Sequence, residues 1–146
     1  MSLRARAVIL DGDGRLLLDR THHTDRPVFY WLPGGGVEPG ETAQEALRRE
    51  LIEEASLRIE VGRLLYISEN LFVESGDYRH ELILYFLASI LGRDPAPPAD
   101  PRNHEWHAPD ATPGPLLPPQ IAEALIRDIP KGFDRPVQHL VTDHRP

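Results

Sequence analysis

Glu50, Glu53 and Glu54 stand at i, i+3 and i+4, so a helix through them brings all three carboxylates to one side of its cylinder. Like charges at this spacing repel by roughly 0.2 to 0.5 kcal/mol per pair when exposed, and by more where solvent is excluded. Leu47 and Leu51 mark the inward face, and at about 100° per residue Glu50 and Glu54 fall beside them. A helix built only to pack would carry leucine or alanine there. A hard divalent cation removes the repulsion, because magnesium and manganese take oxygen ligands and keep several waters while bridging carboxylates to phosphate oxygens. The competing reading is a solvated acidic face interleaved with Arg48 and Arg49.

The helix that carries these acids is the best-signalled element of the chain. Thr42 and Glu45 have the spacing of a capping box, and Ala43, Ala46, Leu47 and Leu51 form an apolar stripe, which predicts a helix over Ala43 to Ala55. Pro39-Gly40 makes a turn before it, and Pro33-Gly34-Gly35-Gly36 breaks regular structure. Upstream, Ala5 to Leu10 and Arg15 to Asp19 flank the turn Asp11-Gly12-Asp13-Gly14 and read as a β-hairpin, with Val28 to Leu32 a further short strand. Downstream, Ile59 to Val73 holds two strands, and Leu82 to Ile90 is an apolar run suited to a strand covered on both faces. The sheet is expected to be mixed. Gly92 to Asn103 reads as a long surface loop, Glu105 to Ala108 as a return to the sheet, and Ile121 to Asp128 as a short amphipathic helix behind Pro118-Pro119. The expected organisation is one domain over residues 1–128 and a loosely held polar tail over 129–146.

At 146 residues the chain fits one domain with a real core. It has no cysteine, so thiol redox chemistry and thiolate zinc sites are excluded. A net charge of −7 argues against a nucleic-acid partner, which calls for a basic face. No stretch approaches the roughly 18 apolar residues of a membrane span, and Met1 to Arg6 lacks a signal-peptide run, so no membrane partner is expected and the cytoplasm is the expected compartment.

Gly35 is followed by five residues and Glu41, then by seven residues and Arg49-Glu50-Leu51, then by Ile52-Glu53-Glu54-Ala55-Ser56-Leu57. This spacing resembles the Nudix box. Trp31-Leu32-Pro33-Gly34-Gly35 looks like its usual lead-in, and the strand Leu82 to Ala88 and the patterns Glu105-Trp106 and Leu116-Leu117-Pro118 extend the resemblance over about Ala5 to Asp128. One departure is Ser56, where the box usually ends in glycine; a non-glycine residue in a left-handed helix cap costs roughly 1 to 2 kcal/mol, so the helix is expected to end differently.

The resemblance implies an α/β class fold, an α/β/α sandwich around a mixed β-sheet. It implies Glu50 and Glu54 as primary metal ligands, Glu53 as a third shared between ions, and Arg49 as the group that holds them. Glu41 either orients Arg49 or touches metal directly, and Gly35 and Gly36 let substrate and metal approach the backbone. The implied cofactor is Mg2+, with Mn2+ as substitute, and the implied chemistry is attack on phosphorus by a metal-activated water. Glu105 is the first candidate for the base, with Glu53 and Glu81 as rivals. Arg20 and Arg26 are candidate phosphate contacts, although surface arginine is the commoner role. His22 and His23 are expected on opposite faces of a strand, His80, His104 and His107 as structural, and Tyr30, Trp31, Phe72 and Tyr78 as core more than as base-stacking groups.

The function so implied is hydrolysis of the pyrophosphate bond of a nucleoside diphosphate linked to another group, with nucleoside triphosphates the first subclass. Phe72 and Glu74 stand where ADP-ribose and dinucleoside-polyphosphate branches often carry proline or tyrosine. The alternatives are a Nudix-like sensor that binds a nucleotide without cleaving it, against which the intact acids argue, and a scaffold whose acidic helix docks a basic partner. A small-molecule nucleotide is the expected ligand, and a homodimer is an assembly the resemblance allows.

Overall fold

The computed structural model describes residues 1–21 and 27–146. Arg26, His22 and His23 therefore lie outside the described residues. The chain folds into a five-stranded mixed sheet and a three-stranded antiparallel sheet, with one helix on either side. The larger sheet runs β4 (Gly34–Gly36), β1 (Ser2–Ile9), β6 (Asp77–Arg93), β5 (Leu57–Glu74) and β8 (Gln138–Asp143). The smaller one runs β3 (Phe29–Trp31), β2 (Leu16–Thr21) and β7 (Asn103–His107).

Two apolar clusters explain the layering. Helix α1 (Ala43–Ala55) packs Leu47 and Leu51 against Ala5, Ala7, Ile9, Phe86 and Ala88 on one face of the large sheet, with Leu17 and Trp106 from the small one. Helix α2 (Pro119–Asp128) packs Ile121, Ala124 and Leu125 against Val8, Tyr66, Ile83 and Tyr85 on the other. Alternate residues of β1 and β6 thus feed opposite cores, the period-two logic of a strand covered on both faces. No helix among the described residues is long and apolar enough to cross a membrane.

Several elements differ from expectation. The first two strands do not form a hairpin ladder: only a bridge between Leu10 and Leu16 joins them, and β1 and β2 then enter different sheets. The turn is legible locally, but the pairing is decided by strands some seventy to ninety residues away in sequence. Gly34–Gly36 is a short edge strand on β1, not a break. Leu57–Glu74 is one strand with register shifts between Val61 and Tyr66 where two strands were expected; such bulges bend a strand without ending it. Tyr78 is exposed at the far end of β6. The polar segment after Asp128 is not loose: Phe133 is buried, and β8 pairs in parallel with β5.

Candidate functional site

Helix α1 begins with the expected box, Thr42 Oγ1 accepting from the Glu45 amide at 3.1 Å and the Glu45 carboxylate accepting from the Thr42 amide at 3.1 Å. Its end shows how Ser56 stands in for glycine. Ser56 adopts the left-handed conformation (φ 52°, ψ 35°), its amide caps the last turn, and its hydroxyl donates to Ala96 O at 2.7 Å. The helix thus ends as a glycine-terminated one does, with the side-chain hydrogen bond offsetting backbone strain.

Arg49 organises the acids. Its guanidinium donates to Glu41 at 2.7 and 3.1 Å, to Glu50 and Glu53 at 3.2 Å each, and to Gly36 O at 3.0 Å. The Glu38 amide fixes Glu41 from behind at 2.8 Å. Glu41 therefore reaches the cluster through Arg49, whose hydrogen bonds, with that of the Glu38 amide, hold the Glu41 carboxyl below its ordinary value. Gly35 faces Glu50 so closely that a Cβ there would lie 2.5 Å from the carboxyl carbon, while Gly34 (φ 143°) would place a Cβ 2.1 Å from Ala5 O.

Glu54 lies deeper. It is 4% exposed, and its Oε2 has no hydrogen-bond partner among the described residues. Burial first, then Glu50 and Asp19, push its pKa well up. A buried carboxylate beside two others with an oxygen unclaimed fits a divalent cation, which removes both the repulsion and the unmet acceptor. Glu50, Glu53 and Glu54 are the residues that could hold one. Beside Glu54 stand two residues the sequence did not single out in this role. Asp19 and His104 are cross-strand partners on β2 and β7, and a donor atom of each lies within 4.8 Å of the others and of Glu54. No local signal marks them, because the pairing joins residues 85 positions apart.

The remaining candidates are placed elsewhere. Glu105 projects from the face of β7 opposite to His104 and accepts from Arg20 at 3.0 Å, Tyr30 at 3.0 Å and His107 at 2.8 Å. His107, then Arg20 and Tyr30, hold its pKa low, a poor setting for a general base. Arg20 is committed to that pair. Glu81 binds Arg4 at 3.1 Å and Asn70 at 3.3 Å on the face of β6 away from α1. Trp31 lies under the Arg6 guanidinium at 5.2 Å, a cation–π contact.

A cleft of about 580 Å³ opens beside Glu54, lined by Leu17, Arg93, Arg102, His104 and Trp106. The proline-rich segment 94–102 forms its wall. It is tied to the end of α1 through Asp94 N to Ser56 O (2.8 Å), Asp100 N to Glu53 O (2.8 Å) and Arg102 N to Glu54 O (3.1 Å).

A sequence model of the NUDIX domain matches residues 2–127. The chain is 36% identical over 124 residues to the NAD-capped RNA hydrolase NudC of Chromobacterium violaceum, which covers 84% of this chain and 44% of that protein. It is 50% identical over 56 residues to the nucleoside triphosphatase NudI of Enterobacter sp. (strain 638), covering 36% of this chain and 39% of that one. The chain thus spans less than half the length of these curated relatives. Among solved structures, a UDP-X diphosphatase superposes with a TM-score of 0.73 at 20% identity, covering 94% of this chain and 66% of that one, and shows the same fold. The MutT protein from Bacillus halodurans gives 0.70 at 18% identity, covering 100% and 92%. With the loop, the capped helix and its carboxylates assembled as described, and the domain match spanning 2–127, the chain belongs to the NUDIX family.

Proposed function

We propose that the chain is a Mg2+-dependent pyrophosphohydrolase that cleaves a nucleoside diphosphate linked to another group, with nucleoside triphosphates as the first substrate class. The observation that carries this reading is Glu54, buried beside Glu50 with an oxygen left unpartnered among the described residues. When bound, a divalent cation supplies positive charge for the phosphoryl oxygens and acidifies water. Mn2+ would substitute.

The chain's own residues supply the rest. Glu50 and Glu54 would hold the ion, with Gly35 leaving room for the Glu50 carboxyl. Arg49 fixes Glu41, Glu50 and Glu53 in one network, so the acids are oriented before a ligand arrives. Glu53 is the most open of the three and is the favoured proton acceptor, since Glu81 and Glu105 are engaged elsewhere. Arg93 and Arg102 line the cleft and offer guanidinium groups to phosphate oxygens.

A second substrate class has its own support. The 36% identity to a protein named NAD-capped RNA hydrolase runs over most of this chain and makes a dinucleotide pyrophosphate an alternative, and an RNA-linked one would set aside the expectation of no nucleic acid. The test is a panel of nucleoside triphosphates, NAD and ADP-ribose with Mg2+, Mn2+ or a chelator. Cleavage of a pyrophosphate bond that the chelator abolishes is the expected result. Binding without turnover would replace the enzyme reading with the sensor one.

A further inference from the structure

We propose that Asp19, Glu54 and His104 form a second cation site, which takes a divalent ion of the first transition row in preference to magnesium. Two observations carry it. Donor atoms of the three residues lie within 4.8 Å of one another. Glu54 is 4% exposed with Oε2 unpartnered, and His104 Nε2 is also buried and unpartnered among the described residues.

The donor set decides the ion. An imidazole nitrogen with two carboxylates suits manganese, iron, cobalt or zinc, whereas magnesium favours oxygen alone and holds its waters. The fields of two guanidiniums, Arg102 and Arg6, reach Glu54 and Asp19, but their side-chain hydrogen bonds go elsewhere, Arg102 to Asp100 at 3.2 Å and Arg6 to Leu32 O at 2.8 Å. The site opens on the cleft, so an ion there would face the part of a ligand lying toward Trp106. The cross-strand pair Asp19 and His104 sets the geometry, and the end of α1 supplies the third ligand.

The site rests on the proposed hydrolase reading only through Glu54, and the test separates the two. Co2+ is titrated into the full chain in saturating Mg2+, followed by visible absorption, calorimetry and the NMR signals of the His104 ring. The expected result is Co2+ binding that perturbs His104 selectively and weakens at least about tenfold in His104→Gln and in Asp19→Asn. Glu50→Gln should lose Mg2+-dependent hydrolysis while the Co2+ signal at His104 stays. His104 ring signals unmoved by Co2+ in the wild-type chain would overturn the site, whether or not the variants fold. So would a folded His104→Gln that binds Co2+ as the wild type does.

Discussion

Gly35 and Arg49 set the precision of the acidic cluster one atom at a time. A Cβ at Gly35 would meet the Glu50 carboxyl at 2.5 Å, so Gly35→Ala must push that side chain off its position. We expect this variant to fold and to lose about tenfold or more in kcat, because a displacement near 1 Å is costly in an oriented site. Unchanged turnover in steady-state assays would place Glu50 outside the chemistry. Arg49→Ala removes four hydrogen bonds to carboxylates at once and leaves Glu41, Glu50 and Glu53 without their counter-charge. Its expected cost is about 1 to 3 kcal/mol in denaturant unfolding, together with lost activity. Glu50, Glu53, Glu54 and Arg49 were legible because box spacing is local in sequence. Asp19 and His104 were not, since only the pairing of β2 with β7 brings them to Glu54.

Helix α1 is the element at which reading and structure agree residue for residue, from Thr42 at the cap to Ala55 at the end. Its signals are short-range: a capping box, an apolar stripe and a turn ahead of it. Thr42→Ala should destabilise the fold by about 1 kcal/mol in chemical unfolding. At the other end, Ser56→Ala keeps the left-handed strain and loses the hydroxyl bond to Ala96, and it should cost a similar amount. It should also loosen the 94–102 wall of the cleft. A stability equal to wild type in Ser56→Ala would show that this bond contributes nothing. The β elements were less legible. Asp11 to Gly14 makes a true turn, yet a turn does not say which strands its arms will pair with, and here they join separate sheets.

Across the whole molecule, the segment after Asp128 is fastened by buried polar contacts that composition does not reveal. Asp128, 1% exposed, accepts from Tyr66 at 2.8 Å, Gln138 at 3.0 Å and Arg127 at 2.8 and 3.0 Å, and so joins α2 to β5 and to the start of β8. Arg127 first, then Tyr66 and Gln138, hold its pKa below the ordinary 3.8 despite burial. A depressed carboxyl contributes stability that is present above 3.8 and lost as pH falls through the folded value. Asp128→Asn should therefore lower Tm at neutral pH and flatten the acid limb of a Tm–pH curve. An acid limb identical to wild type would remove Asp128 from this role. Glu54 has the opposite sign: its raised pKa means the metal-free fold loses stability as pH rises above the ordinary 4.5, until a divalent cation replaces the proton.

The proposed hydrolytic site turns on Glu54 as a cation ligand, a role tested most directly by the Mg2+-dependent turnover of Glu54→Gln. The amide keeps the shape of the side chain and removes the charge. The variant is predicted to keep the wild-type circular dichroism spectrum while cleaving a substrate of the wild type at least about a hundredfold more slowly. A folded Glu54→Gln with near-normal, Mg2+-dependent turnover would contradict the account.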